Sequence, residues 1–393
     1  MKSLTLRAYA LDIPFTQTFR HNAAERSYTQ SVWVEIDDGA GHRGYGEACP
    51  REYVTGESQS SALAIIEAGA AVWCASIRDL ATLRRWVHEH RVLIDANPAA
   101  WCAVELALLD LFARREAISV EQLLGMEALA GYFTYTAVLG DAPPLAFETL
   151  LARYVATGFE HYKIKLGGRS AHDRAKVAAL RAAGIAPEQV RADANNLFRS
   201  ARDAVRYLDH LDFPFAALEE PIEVGDLEGL CAVARACDCA IVLDESLTRA
   251  EQIELLPVGP RWIVNVRVSK MGGLLRSIAS AEQAARCGHG VIVGAHVGET
   301  SLLSRAALTV AHSCRDTLLE QEGAFGTHLL QHDVVAKSLM FGAGGRLRAD
   351  AVSPGSGFGF DRITVPGAHC TRPAPFAVPR PAYGGPKWRS WMS

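Results

Sequence analysis

From about residue 132 the chain repeats one unit, a short apolar run followed by a stretch of helical periodicity. Apolar runs at 133–139, 161–166, 190–193, 215–219, 241–244, 263–268, 291–295 and 317–320 alternate with helical patterns such as 171–183, 201–211, 227–237, 274–287 and 302–312. Strands that stay apolar along their length are buried on both faces, as in parallel sheets joined by crossover helices. Eight such units predict an α/β protein built on a (β/α)8 barrel of the TIM type, which takes about 250 residues. A chain of 393 residues has more than that, so a second unit is expected.

The charged residues that close the apolar runs keep the same period. Lys165 to Asp193 is 28 residues, Asp193 to Glu219 is 26, and Glu219 to Asp244 is 25. Asp244 to Lys270 and Lys270 to His296 are 26 each. Each interval is one strand–helix unit, so each residue stands at or just past the C-terminal end of its strand, and in a barrel those ends converge on one mouth. A single acidic strand end is readily a helix N-cap. Three in succession, flanked by lysines on both sides, are poorly explained that way. Lys163 and Lys165 alternate onto one face of their strand. Alone they would read as a solvated edge; ahead of three acidic strand ends they face a site.

Asp193, Glu219 and Asp244 would repel one another unless a cation joined them. They are hard oxygen ligands with no His or Cys among them, which suits Mg2+, or Mn2+, rather than zinc. Asn195, Glu220 and Glu245 are candidates for orienting those ligands. A strand offset of one residue leaves Glu220 or Glu245 able to be the ligand instead. A carboxylate substrate on such an ion has its α-hydrogen acidified, because the ion stabilises the enediolate that forms. A lysine near a cation in a poorly solvated site has its pKa lowered and can serve as the base. Lysines before and after the acidic ends place two bases on opposing sides. Two bases permit racemisation or epimerisation; one base with a leaving group gives elimination or ring opening.

Lys163-Ile164-Lys165, Asp193-Ala194-Asn195, Glu219-Glu220-Pro221, Asp244-Glu245-Ser246 and Lys270-Met271-Gly272-Gly273 together resemble the enolase superfamily. The muconate-lactonizing branch of the mandelate racemase/muconate lactonizing enzyme family is the best match. The resemblance covers nearly the whole chain. It implies Mg2+ on Asp193, Glu219 and Asp244, Lys165 and Lys270 as the acid/base pair, and Lys163 holding or polarising the substrate carboxylate. It implies an isomerase: a racemase or epimerase of N-acyl amino acids or dipeptides, or a muconate-type cycloisomerase. Acid-sugar or o-succinylbenzoate-type dehydration and a non-catalytic metal-binding homologue are the alternatives.

His296 stands where the mandelate racemase branch carries a catalytic histidine, but Arg267 stands where that branch has the supporting aspartate. His296 is therefore a candidate substrate contact rather than a base. Glu299 on the same loop, and Glu320 with Glu322 after the eighth strand, are further candidates for substrate binding. By the resemblance, acids in the Glu320 region hold the substrate ammonium in dipeptide epimerases.

Residues 1–125 are expected to form an α+β capping domain, with 340–393 returning to it and 126–339 making the barrel. An alternating stretch at 27–37, a turn at Asp38-Gly39 and a return at 41–49 suggest a hairpin, followed by helical patterns near 59–77, 80–93 and 98–115. The polar stretches 19–22 and 50–57 read as mobile loops over a pocket, with Arg51 and Tyr53 as candidate substrate contacts. Gly46-Glu47-Ala48 resembles the family's capping-domain strand. The Pro/Gly-rich tail 372–393, with Trp388 and Trp391, has no assigned role. A net charge of −4 leaves no footprint for nucleic acid or an anionic membrane, and no apolar run suits a membrane span. Nine scattered cysteines read as reduced thiols of a cytoplasmic protein. The expected partner is a small carboxylate substrate, and a homo-oligomer is expected.

Overall fold

The computed structural model describes residues 3–21, 24–349, 355–360 and 363–364. Eight parallel strands follow in chain order around one sheet: Ala137–Leu139, Tyr162–Lys165, Val190–Asp193, Ala217–Glu219, Ala240–Leu243, Trp262–Val266, Gly290–Val293 and Leu318–Gln321. A parallel bridge between Tyr135 and Gln321, with Thr136 N donating to Gln321 O at 2.8 Å, brings the last strand against the first. This is a (β/α)8 barrel with an added N-terminal unit. Helices Pro144–Thr157, Ser170–Ala182, Ala201–Leu211, Leu227–Cys237, Leu274–Arg286 and Ser301–Ser313 follow strands one to four, six and seven. After the fifth strand only the 3-10 segment Ala250–Leu255 intervenes. Inside the barrel Ala217, Ala240, Val242, Ile263 and Ile292 form a small apolar cluster apart from the main core. Glu219 lies two residues beyond Ala217 on the same face, so the charged layer sits above that plug, toward the strand C-termini.

In the N-terminal unit Ser31–Asp37 pairs antiparallel with both Thr5–Leu11 and Arg43–Ala48, and the sheet lies on helix Pro98–Arg115. That helix is apolar on nearly every face and is covered on nearly every face. The strand can approach it because positions 44 and 46 are glycine. A Cβ at Gly46 would stand 1.9 Å from Ala103 O, and one at Gly44 2.1 Å from Ala107 O.

Local departures from the sequence reading have simple causes. The apolar run 133–139 is two strands, because Tyr132–Thr134 leaves the barrel to pair with Arg346–Arg348. The stretch 80–93 breaks at His90 into helices Leu80–Glu89 and Arg91–Ala96. Phe19 to His21 belongs to the strand Pro14–His21, paired with Ala24–Tyr28, rather than to an irregular loop. The 50–57 stretch contains a one-turn helix, Glu52–Thr55. Of the expected C-terminal return, Gly357 exchanges backbone bonds with Ile118 and Val120, and Phe358 N donates to Asp110 Oδ1 at 2.8 Å. The tail 372–393, including Trp388 and Trp391, lies outside the described residues.

Three buried carboxylates dock the N-terminal unit onto barrel helices. Glu47 accepts from Thr300 N at 3.0 Å, Thr300 Oγ1 at 2.5 Å and Leu303 N at 3.3 Å, at the start of Ser301–Ser313. Glu105 accepts from Leu275 N at 2.9 Å, at the start of Leu274–Arg286. Helix N-termini present unpaired N–H groups and positive potential, so a carboxylate suits them. Burial nevertheless pushes Glu47 up to about 8 and Glu105 up to about 7. Glu121 instead forms a two-pronged ion pair with Arg305, at 2.7 and 2.8 Å. Among the described residues no helix is long and apolar enough to cross a membrane, and the eight cysteines are free thiols.

Candidate active site

Strand register assembles the first half of the site. Lys165 lies directly opposite Asp193, and Asp193 opposite Glu219, giving a row across three neighbouring strands. One row deeper, Lys163 lies opposite Arg191. Asp244 follows the end of the fifth strand, and Lys270 sits in the short helix Val268–Met271 after the sixth. Asp193, Glu219, Asp244 and Lys270 have no exposed surface.

Lys165 Nζ donates to Asp193 Oδ2 at 2.5 Å and to Asn195 Oδ1 at 2.8 Å. At the other end of the row, Lys270 Nζ donates to Asp244 Oδ1 at 3.0 Å and to the Asp244 and Asn265 carbonyls at 2.8 and 2.7 Å. Lys163 Nζ sits among Asp193, Glu219 and Glu322, at 2.9, 2.8 and 3.0 Å. Burial alone would discharge it, but those three carboxylates raise its pKa above the ordinary lysine value. Lys163 is thus held as a cation, a role in charge compensation rather than proton removal. Burial would raise Asp193, yet Lys163 and Lys165 hold it well below the carboxylate range. Burial and the neighbouring Asp193 push Glu219 up to about 7.

The choice between adjacent carboxylates resolves by direction. Glu219 points into the barrel, where Lys163, Arg191 and Asn265 meet it. Glu220 has a positive φ of 39°, which turns it away from the row toward the next loop. There it accepts from Asp244 N and Ser246 N at 2.7 Å, from Ser246 Oγ at 2.8 Å and from Asn196 Nδ2 at 3.2 Å. Glu220 therefore holds the loop that carries Asp244. Glu245 meets Asn195 Nδ2 at 3.4 Å through Oε1, while its buried Oε2 has no hydrogen-bond partner. Burial and the Asp244 charge push Glu245 up to about 8. Asp193, Glu219 and Asp244 are hard carboxylates with a fourth, underused carboxylate beside them, a donor set that suits a hard divalent cation, while their oxygens do not all lie within 4.8 Å of one another.

Sequence reasoning missed Arg191 and underrated Arg267. Arg191 shares the inward face with Asp193, two residues on, and bridges Glu219 at 2.9 Å, Glu320 at 2.8 Å and Glu322 at 2.5 Å. The alternation of Val190–Asp193 was the available signal. Arg267 reaches Asp244 in a close ion pair and Glu219 at 3.7 Å. Glu320 also accepts from Thr136 Oγ1 at 2.6 Å. Glu320 in the eighth strand and Glu322 just past it are thus already neutralised by the protein's own cations.

His296 is buried, and neither ring nitrogen has a hydrogen-bond partner. Burial, reinforced by Arg267, Arg51 and Lys270, holds its pKa well below the ordinary histidine value. Glu299 Oε1 accepts from His296 N at 2.7 Å, which fixes the loop, and burial pushes Glu299 up to about 7. Arg51 is buried with its Nη groups on the carbonyls of Thr29, Gln30, Pro50 and Val297, tying the N-terminal unit to the barrel mouth. Tyr53 lies by Arg26 on the same rim. A cavity of ≈ 1040 Å³ opens across the ends of the first, seventh and eighth strands, where Val138, His296 and Glu322 line it, with Phe19 over it from the N-terminal hairpin. Arg51 and Tyr53 are not part of its lining.

Among the described residues, Asp141, His172 and Asp173 form the one trio whose ligand atoms lie within 4.8 Å of one another. Lys176 neutralises both aspartates, at 2.7 and 2.8 Å, and Arg169 adds a 2.9 Å pair to Asp141. That trio is an ion-pair cluster at the barrel rim in which His172 Nδ1 has no hydrogen-bond partner, and it is distinct from the carboxylate row.

Comparison with known proteins agrees with the geometry. Residues 9–125 match the family described as "Mandelate racemase / muconate lactonizing enzyme, N-terminal domain", and residues 146–363 match "Enolase C-terminal domain-like". The chain belongs to the mandelate racemase/muconate lactonizing enzyme family of the enolase superfamily. Among its relatives is a hydrophobic dipeptide epimerase of Enterococcus faecalis, 29% identical over 83% of this chain and 92% of that one. An N-succinyl-L-Arg/Lys racemase of Bacillus cereus is 26% identical over 80% of this chain and 85% of the other. The solved structure of a substrate-liganded L-Ala-D/L-Glu epimerase of Bacillus subtilis superposes with a TM-score of 0.80 at 25% identity, covering 93% of this chain and all (100%) of that one.

Proposed function

We propose that this protein is a Mg2+-dependent isomerase that removes and returns the α-proton of a carboxylate substrate, an N-acyl amino acid or a dipeptide. The observation that carries the reading is the row of carboxylates bracketed by two lysines, Lys165 on Asp193 and Lys270 on Asp244, with Glu219 between. Asp193, Glu219 and Asp244 would hold the ion. When bound, the ion polarises the substrate carboxylate and so acidifies the neighbouring C–H. Lys165 and Lys270 then approach the α-carbon from opposite sides, so one Nζ takes the proton and the other returns one to the other face. Lys163, kept charged by three carboxylates, offsets negative charge at the carboxylate end of the substrate. Glu220 fixes Asp244 through its backbone, and an apolar plug closes the barrel beneath the row. We assign the chemistry to residues 126–339 and the cover to residues 1–125 with the C-terminal return.

The names of the relatives, epimerases and a racemase, support isomerisation, and the hard donor set supports Mg2+ over a softer metal. The test is α-proton exchange in D2O, followed by NMR across a library of N-acyl amino acids and dipeptides with Mg2+ present. Exchange with inversion is expected for at least one class. Turnover without deuterium at the α-carbon would overturn the reading.

A further inference from the structure

The mechanism above leaves the buried His296 side chain, on the cavity wall, without work. His296 is 3% exposed, lines the cavity, and has two ring nitrogens with no partner among the described residues. Buried polar groups are nearly always hydrogen-bonded, and an exception at a cavity wall marks where a ligand supplies the partner. Its backbone is not free to swing the ring elsewhere, because His296 N is held by Glu299 at 2.7 Å.

What that partner is follows from the charges around it. Burial, reinforced by Arg267, Arg51, Lys270 and Arg26 around the ring, keeps the imidazole neutral. A neutral imidazole offers one N–H donor and one bare nitrogen acceptor. The bare nitrogen can accept the N–H of an amide. A free α-ammonium would instead need carboxylates, and the acids bordering the cavity are already taken. Glu322 carries Lys163 and Arg191, and Asp141 carries Lys176 and Arg169. Beyond His296 the wall turns apolar, with Leu150, Tyr154, Phe325 and Phe341. An acyl chain fits there without an unpaired polar group; an ammonium does not.

We infer that His296 is a specificity-determining residue that hydrogen-bonds the amide of an N-acylated substrate whose acyl group fills the apolar cavity. The inference rests on the proposed α-proton exchange at the same site and narrows its substrate class.

The experiment compares two probes, N-acetyl-L-leucine and 2-acetoxy-4-methylpentanoate, the ester in which oxygen replaces the N–H. Deuterium uptake at the α-carbon is measured with the wild-type protein, His296→Leu and His296→Asn, all loaded with Mg2+. The wild type is expected to favour the amide by about 10- to 30-fold in kcat/KM, the scale of one buried hydrogen bond. In His296→Leu the preference should fall to within about threefold, through a rise in KM for the amide alone, and His296→Asn, which keeps an acceptor, should restore part of it. A histidine merely packing the wall would lower both probes equally. As a check that does not depend on variant folding, wild-type protein labelled with 15N-histidine should shift one imidazole signal on adding the amide and not on adding the ester. A preference that survives in His296→Leu, or an imidazole unmoved by the amide, overturns the inference while leaving proton exchange intact. Absence of exchange with every N-acyl amino acid and dipeptide would remove the inference together with the reading beneath it.

Discussion

Replacing Glu220 by Gln tests whether the row of ligands depends on the residue that aims Asp244. One carboxylate oxygen of Glu220 serves two backbone donors, Asp244 N and Ser246 N, and the other serves Ser246 Oγ and Asn196 Nδ2. An amide has only one acceptor oxygen. If that oxygen keeps the backbone pair, the new NH2 group faces Ser246 Oγ, which can rotate to accept, and Asn196 Nδ2, which cannot turn freely because it also donates to Ile222 O at 2.6 Å. If the amide flips, it faces two backbone N–H groups that have no other direction. Either way at least one charge-assisted hydrogen bond is lost and one donor meets a donor, at a cost of about 1.5–3 kcal/mol. Part of that cost appears as a displaced Asp244, and loss of a residue that orients a ligand typically lowers metal affinity about 10- to 100-fold. The assay is calorimetric titration of Mg2+ into metal-stripped wild-type and Glu220→Gln protein, alongside urea unfolding of both. The expected result is affinity weakened in that range with a folded variant. Affinity within twofold of wild type would refute the role given to Glu220.

Other perturbations reach the joint between the two units. Burial opposes the Glu121 charge, but Arg305 and Thr309 bring its pKa down from 4.5 to about 2, so this stabilisation is present above pH 4.5 and is lost as pH falls through about 2. The shift corresponds to about 3 kcal/mol, so urea unfolding of Glu121→Gln at pH 7 should show a deficit of about that size, and the deficit should shrink below pH 4. A deficit that stays constant with pH would contradict the ion pair. Gly46→Ala drives a methyl to 1.9 Å from Ala103 O and should cost at least about 3 kcal/mol or prevent soluble folding, read by urea unfolding or by yield.

The barrel was readable because eight buried strands leave eight apolar runs, and the site because strand ends recur at one βα interval. Both signals are local, repeated and independent of side-chain direction. Choosing Glu219 over Glu220 was not readable, since adjacent carboxylates look alike until the positive φ of Glu220 turns one of them away. Arg191 escaped for a related reason: its three acidic partners, Glu219, Glu320 and Glu322, lie 28, 129 and 131 residues away in sequence. Phe19 was taken for loop because it pairs with Arg26 in a two-stranded hairpin that carries polar residues. The docking roles of Glu47, Glu105 and Glu121 were not readable, because the helix ends and the arginine that need them belong to the other unit.

The central claim is that Lys165 and Lys270 work on opposite faces of one α-carbon. The direct measurement is deuterium exchange of each enantiomer of an active substrate, separately, with Lys165→Ala and Lys270→Ala. Each variant should lose racemisation by about 10²-fold or more and lose exchange from one enantiomer only, with the two variants affecting opposite enantiomers. Full racemisation in either variant, or exchange lost equally from both enantiomers in both, would contradict the account.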